Sequence, residues 1–317
     1  MLLNHITWNV DPVLFSIGSV HVRWYGLLWA LGFLFGYLIM RKIYRREKMS
    51  DDSLDKLLIY MLLFTVVGAR LGHCLFYEPE YYLSSERINE EIFGHYFLIP
   101  RYFKILAVWE GGLASHGGAI GILLGLWIYV RSYNKAPKKK DEKPRISYIW
   151  ILDRIVVPVC LVGALIRCGN VMNHEIYGTP TSLPWGFVFM RGAEQFCGSF
   201  DNYTPCTAWD APCPPSEWLP CHPTGLYEAF FCLVAMGILL WMYYKRDLGN
   251  KQPGLMFGTF LIIIFGSRIG IEFLKNVQVE FERNMTFDMG QWLSVPFVLI
   301  GIGMIVWSFV HKNEKQR

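Results

Sequence analysis

The chain has 317 residues, of which 53% are hydrophobic and 18% are charged, and its formal net charge is +4. A soluble domain normally carries about 25% charged residues, so this composition argues against a soluble protein. The small positive charge gives no reason to expect a nucleic-acid partner.

The apolar residues form seven long blocks, and an α-helix needs roughly 20 such residues to cross a bilayer. We predict membrane spans at residues 24–43, 54–76, 113–130, 148–166, 226–244, 255–274 and 292–310. Helices satisfy their own backbone hydrogen bonds in lipid. The sequence therefore predicts an all-α polytopic membrane protein, with residues 1–317 as a single membrane domain.

Basic residues indicate the orientation of these spans. They crowd the loops after spans one, three and five and the tail after span seven. By the positive-inside rule, the N-terminus lies outside and the C-terminus lies in the cytoplasm. Two extracytoplasmic insertions follow from this topology, an interfacial arm at residues 77–109 and a Cys- and Pro-rich cap at residues 178–223.

Four cysteines lie in the predicted cap, namely Cys197, Cys206, Cys213 and Cys221. In an oxidising compartment they predict two disulfides, with three possible pairings. Zinc is the competing interpretation, but no CxxC pair is present, so we favour disulfides and expect no metal. The cysteines in or beside the spans are interpreted as small apolar residues.

Polar residues from all seven spans fall in the outer half of the membrane when position is converted to depth at about 1.5 Å per residue. They are Tyr25, Arg70, His116, Arg167, His222, Arg268 and Gln291. Each has a structural alternative: Arg167 can reach the lipid head groups, and Arg268 can pair with Glu272 one turn away. Together they predict a polar chamber in which two guanidinium groups suit a phosphate and a histidine can accept a proton.

The stretch "LIRCGNVMNHEIYG", residues 165–178, places several hydrogen-bonding side chains directly after an apolar span. Arg167, Asn170 and His174 share the spacing i, i+3, i+7, so a continued helix would put them on one face. Asn173 and Glu175 would then start a turn that ends at Gly178. This pattern predicts one wall of a site for an anionic lipid head group.

Several motifs in chain order carry a resemblance to a known family. They are "VRWYGLLWALGF", "GARLGHCLFY", "WEGGLASHGGAIG", "IRCGNVMNHEIYG", "HPTGLYEA", "SRIGIEF" and "MGQWLSVPF". The chain resembles the phosphatidylglycerol–prolipoprotein diacylglyceryl transferases, enzymes of the bacterial inner membrane with seven transmembrane helices. The likeness covers nearly the whole chain.

The resemblance implies a reaction and a set of site residues. The diacylglyceryl group of phosphatidylglycerol moves to the thiol of a prolipoprotein's lipobox cysteine, glycerol phosphate leaves, and no cofactor takes part. The implied catalytic residues are His116 as the base and Arg167 and Arg268 as stabilisers of the leaving phosphate. The implied substrate-binding residues are Tyr25, Arg70, Asn170, Asn173, Glu175, Gly178, Glu272 and Gln291. The active site is expected on the periplasmic side.

A lipid or anion transporter that uses the same intramembrane arginines is the alternative function. Such a protein usually has internal repeats and a polar path to the cytoplasmic side. Neither is visible in the sequence, where the inner halves of the spans are nearly free of charge. Asp153 and Arg154 are exceptions, and we interpret them as a local structural pair.

Overall fold

A computed structural model describes residues 5–18, 20–92, 95–108, 112, 114–137, 142–143, 145–207, 214–276 and 287–311. In these ranges the helices are α1 (Trp24–Arg46), α2 (Asp51–Phe76), α3 (Pro79–Tyr82), α4 (Ser115–Lys135), α5 (Tyr148–Met172), α6 (Thr224–Tyr244), α7 (Leu248–Lys251), α8 (Leu255–Glu272) and α9 (Met289–Val310). Short 3-10 helices cover Arg101–Leu106 and Pro215–Glu217. The mostly helical architecture is confirmed.

Short strands add four two-stranded sheets to the helices within the described ranges. The strands are β1 (Ile6–Trp8), β2 (Val13–Ile17), β3 (Val20–Arg23), β4 (Arg87–Ile92), β5 (His95–Pro100), β6 (Phe187–Phe189), β7 (Glu194–Ser199) and β8 (Asn202–Thr207). β1 pairs in parallel with β6, whereas β2 with β3, β4 with β5 and β7 with β8 form antiparallel pairs.

Six described helices are long and apolar enough to cross a membrane, namely α1, α2, α5, α6, α8 and α9. They coincide with six of the predicted spans, so a multi-pass membrane protein is confirmed. The third predicted span forms α4, a helix of 21 residues that is not one of these six. Its crossing of the membrane stays a prediction, and its predicted start at Leu113 lies outside the described residues.

Two of the long helices begin at side-chain caps. Ser50 precedes α2, and its hydroxyl accepts a hydrogen bond from the Ser53 backbone N–H. Asp288 precedes α9 and forms a capping box with Gln291. Such caps satisfy backbone N–H groups that have no partner inside the helix, so each defines where its helix starts.

The chain divides into two compact units, Met1–Met40 with Leu152–Arg317, and Arg41–Ile151. In the second unit, α2 and α4 pack backbone to backbone through glycines. A Cβ atom on Gly117 would overlap the carbonyl oxygen of Gly68 and approach Cα of Gly72 to 2.7 Å. The glycines of α2 and α4 therefore permit the close helix approach that small residues give in membrane proteins.

The predicted arm at residues 77–109 contains α3, the β4–β5 hairpin and the 3-10 helix Arg101–Leu106. Its aromatic side chains are exposed, including Tyr96, Phe97, Tyr102 and Phe103. Exposed aromatic residues are typical of the membrane interface. The interfacial location of this arm stays a prediction.

The prediction of two disulfides in the cap is wrong. Cys197 is disulfide-bonded, but Cys221 is a free thiol buried in an apolar cluster with Phe187 and Phe196. Backbone hydrogen bonds in both directions join Cys221 to Phe187, at 2.8 and 2.9 Å, and hold it there. Burial raises the pKa of this thiol to about 12, so it remains protonated. Cys213 lies outside the described residues.

Candidate functional site

Five charged side chains meet where α5 ends, α6 begins and α8 ends, and we call them the charged cluster. They are Arg167, Glu228, Arg268, Glu272 and Lys275. Glu228 Oε2 lies 2.6 Å from Arg167 Nε, and Glu228 Oε1 lies 2.8 Å from Lys275 Nζ. Lys275 Nζ is also 3.1 Å from Glu272 Oε2, which is 3.6 Å from Arg268 Nε. The charges therefore alternate along a continuous chain.

The charged cluster is cationic where it is accessible. Its two carboxylates are each 8% exposed and Lys275 is 3% exposed, whereas the side chains of Arg167 and Arg268 are 25% and 35% exposed. The Nε atom of Arg268 is buried and makes no hydrogen bond to any described residue. Three cations against two anions leave one excess positive charge. Accessible guanidinium groups of this kind can bind a phosphate through several donors.

The residues that follow Arg167 extend the site away from the helix. Arg167 Nη1 donates to Asn170 Oδ1 at 3.4 Å, and Asn170 donates to Glu175 at 3.4 Å. Asn173 Nδ2 also donates to Glu175, at 3.3 Å. The ring of Tyr25 packs against α5 beside these residues, since a Cβ atom on Gly169 would lie 2.9 Å from Tyr25 Cδ2. The structure thus brings together five residues that the sequence had assigned to one site.

His174 departs from the predicted arrangement. α5 ends at Met172, and His174 adopts a left-handed conformation with φ of 56°, so it does not lie on the helix face of Arg167 and Asn170. Its Nε2 contacts the carbonyl oxygen of Val10 at 2.9 Å, and its Nδ1 accepts from the Arg191 backbone N–H at 3.4 Å. The helix continues past the predicted end of the span at Ile166 as far as Met172, but it does not reach His174, which its contacts with Val10 and Arg191 hold off the helix face.

Gly178 has a structural reason to be a glycine. A Cβ atom there would overlap the carbonyl oxygen of Leu274 and lie 2.9 Å from side-chain atoms of His222 and Thr224. The Gly178 N–H donates to the His222 carbonyl at 2.8 Å, and a β-bridge pairs Gly178 with Lys275. The close backbone approach therefore ties the loop after α5 to the segment that carries Lys275.

Gln291 is held by structural contacts. Its backbone N–H donates to Asp288 Oδ1 at 2.8 Å, and its Oε1 accepts from the Asp288 N–H at 3.2 Å. Its Nε2 donates to the carbonyl of Ile269 at 3.2 Å. These bonds join the start of α9 to α8 one residue from Arg268. Substrate contact by Gln291 stays a prediction.

Arg70 and His116 belong to the second unit. Arg70 is 2% exposed, and its guanidinium donates to the carbonyls of Lys104 at 2.5 Å and Ile105 at 3.1 Å. These bonds support a role in holding the segment before α4. His116, the second residue of α4, is exposed and forms no hydrogen bond or ion pair with another described residue. The roles predicted for both residues in substrate binding and catalysis stay predictions.

The sequence-based site assignment did not include Glu228 or Lys275. Glu228 is the one charged residue in the sequence of α6, and Lys275 follows α8 closely. An isolated charge in an apolar helix is a signal of function, because burying it is costly without a partner. This signal was available in "HPTGLYEA", but the sequence does not indicate which cations lie near Glu228.

Within the described ranges, no group of His, Cys, Asp or Glu side chains has an arrangement that could hold a metal ion.

Together, the fold and the charged cluster define a multi-pass helical membrane protein with a cationic site at the ends of three helices. A family model for prolipoprotein diacylglyceryl transferase matches residues 12–307. The chain belongs to this family.

Relatives that match over nearly the whole chain agree with this assignment. A phosphatidylglycerol–prolipoprotein diacylglyceryl transferase of Tolumonas auensis is 41% identical, covering 96% of this chain and 98% of its own. The corresponding protein of Porphyromonas gingivalis is 41% identical over 95% of this chain and 94% of its own. That of Bacteroides fragilis is 37% identical over 99% of both chains.

Proposed function

We propose that the chain transfers the sn-1,2-diacylglyceryl group of phosphatidylglycerol to the thiol of a lipobox cysteine in a prolipoprotein. The activity and its two substrates are those in the names of the family and of its relatives. The family model matches residues 12–307. The family gives no support to the transporter alternative. The observation that carries the site assignment is the charged cluster, whose accessible members are Arg167 and Arg268.

The two arginines suit the part of the reaction in which negative charge develops. The cysteine sulfur attacks the glyceryl carbon, the sulfur–carbon bond forms, and the carbon–oxygen bond to the phosphate breaks. The electron pair of the broken bond stays on the phosphate oxygen, and glycerol phosphate leaves. Fixed guanidinium donors aimed at that oxygen lower the barrier, because they need no reorganisation as the charge grows.

A base is needed because a free cysteine thiol has a pKa of about 8.5 and is a weak nucleophile when protonated. We assign this role to His116. Its imidazole is exposed and is not bonded to another described side chain, so it is free to accept the thiol proton. Asn170, Asn173 and Glu175 are assigned to orienting the head group and Arg167, on the basis of their mutual hydrogen bonds. Tyr25 is assigned to contact with the lipid.

The membrane arrangement is part of the proposal. We assign α4 as a seventh span alongside the six long apolar helices, with the N-terminus outside and the active site toward the periplasm. The distribution of lysine and arginine supports this orientation. A periplasmic site would give the enzyme access to secreted precursors.

The proposal is tested with purified protein, phosphatidylglycerol and a peptide that contains one lipobox cysteine. We expect glycerol phosphate release together with a diacylglyceryl mass gain on the peptide. A peptide with serine in place of the cysteine is the matched control and should gain no mass. We expect Arg167→Ala and His116→Ala to lose transfer while remaining folded. Full transfer by His116→Ala would remove the base assignment, and no transfer by folded wild-type protein would contradict the function.

A further inference from the structure

Glu228 occupies an unusual position for a carboxylate. Its side chain is 8% exposed, it lies in an otherwise uncharged helix, and each of its oxygens faces a different cation. One oxygen contacts Arg167 Nε at 2.6 Å and the other contacts Lys275 Nζ at 2.8 Å. Neither oxygen accepts a well-aligned hydrogen bond from a described residue, so the contacts act through charge.

The ion pair engages one edge of Arg167 and leaves the rest of the guanidinium available. Glu228 contacts Nε, and Nη1 has one long hydrogen bond to Asn170 at 3.4 Å. A guanidinium carries five N–H donors in a fixed plane. A carboxylate that holds the Nε edge therefore determines the plane and direction of the donors that remain for a ligand.

A carboxylate paired with Arg167 alone would compete with an incoming phosphate for the same guanidinium. Lys275 reduces this competition, because its positive charge offsets the negative charge of Glu228. Lys275 is almost fully buried and lies within 2.8 Å of Glu228 and 3.1 Å of Glu272. Both carboxylates therefore keep a cationic partner when an anion engages the two arginines. The β-bridge between Gly178 and Lys275 keeps this segment in place.

We propose that Glu228, neutralised by Lys275, is a positioning residue that orients Arg167 toward the phosphate of the lipid substrate. The proposal rests on the proposed function, and it assigns separate effects to the two partners. Loss of the Glu228 charge lets Arg167 move and lowers kcat. Loss of Lys275 strengthens the ion pair between Glu228 and Arg167, so phosphate competes less well for Arg167 and the KM for phosphatidylglycerol rises.

The test compares Glu228→Gln, Lys275→Met and the double variant in the peptide transfer assay, with inhibition by glycerol phosphate as a second readout. A misplacement of about 1 Å can cost on the order of 100-fold in rate, and we expect a loss of that order in kcat for Glu228→Gln. We expect Lys275→Met to raise KM and to weaken inhibition by glycerol phosphate. In the double variant, KM should return toward the wild-type value, because the competing carboxylate charge is gone.

Lys143→Met is the control, since it breaks an ion pair of similar length, with Glu47 at 3.0 Å, in the second unit. It should leave kcat and KM unchanged. If Glu228→Gln fails to fold, Glu228→Asp, which keeps the charge on a shorter side chain, replaces it with the same expected fall in kcat. Folded Glu228 variants with kcat within twofold of wild type, or additive KM effects in the double variant, would overturn the proposal. Absence of transfer by wild-type protein would instead overturn the proposed function.

Discussion

The same helix, α5, carries charged residues near both of its ends, and their partners are of different kinds. Near its start, the Asp153 carboxylate accepts from the backbone N–H groups of Gly254 at 2.7 Å and Phe257 at 2.9 Å. The neighbouring Arg154 donates to the Gly249 carbonyl at 2.9 Å and to the side chain of Asn250 at 2.7 Å. Both residues are fully buried.

Near the end of α5, Arg167 is partly exposed and pairs with a side chain, the carboxylate of Glu228. The charges at the start of the helix therefore satisfy the backbone around α7 and the start of α8. Arg167, near its end, joins the charged cluster, whose side chains pair with one another and leave guanidinium donors accessible. Charged groups bonded to backbone stabilise the fold, whereas partly exposed cations in a side-chain network are available to a ligand. The two sets are predicted to respond differently to mutation.

Arg167→Ala should have the largest effect on activity. Removal of one donor that stabilises a developing oxyanion costs about 10²–10³ in kcat, and we expect a loss of this order. Unfolding temperature should change little, because Glu228 keeps Lys275 as a partner. The measurement is transfer to the lipobox peptide alongside thermal unfolding in detergent. Wild-type activity in this variant would remove the functional distinction between the two ends of α5.

Asp153→Ala should show the opposite pattern. It leaves two backbone N–H groups at the start of α8 without their acceptor, and we expect a loss of about 3 kcal/mol in the free energy of unfolding. The kcat of the protein that remains folded should be unchanged. Asp153→Asn is the control, since it keeps one acceptor oxygen and should lose less. A fall in kcat without loss of stability would place Asp153 in the catalytic machinery.

Gly178→Ala should have an intermediate effect on both properties. The added Cβ would overlap the Leu274 carbonyl and push away the segment that carries Lys275. Overpacking of this kind costs about 1–3 kcal/mol in stability. Because Lys275 moves with the segment, we also expect KM for phosphatidylglycerol to rise. Gly237→Ala, where an added Cβ meets no atom within 4 Å, is the control in the same unit.

The smallest effect concerns pH. Burial, together with the positive charge of Arg191, holds the pKa of His174 below its ordinary value of 6.5, although the bond to Val10 opposes this shift. The unfolded chain therefore takes up a proton at higher pH than the folded chain, and stability falls as pH drops below 6.5 toward the folded-state pKa. We expect His174→Asn to show a weaker fall in unfolding temperature between about pH 7.5 and about pH 5.

Two other titratable groups affect how this experiment is interpreted. Burial also lowers the pKa of His222, so part of the pH dependence should persist in the variant. Asp11 does not contribute in this range, because the Val13 N–H and Arg191 hold its pKa below 3.8. An unchanged pH profile in His174→Asn would show that His174 does not contribute.

Much of the site was predictable because its residues are close in the sequence or recur in family motifs. Arg167 and Asn170 are one helical turn apart, so their contact follows from helix geometry. The same rule predicted that Arg268 and Glu272 would lie together, and their atoms are 3.6 Å apart. It failed at His174, because α5 ends at Met172 and His174 itself has a left-handed backbone conformation.

The sequence by itself determined the class of protein, six of the long apolar helices, the family and the two accessible arginines, because hydrophobic length, charge and motif order are local properties of a chain. Only the tertiary structure decided that Glu228 pairs with Arg167, that Lys275 lies between two carboxylates and that Cys221 remains a free thiol. Ion pairs and disulfides act over a few ångströms, so they depend on which helix ends and strands the fold makes neighbours.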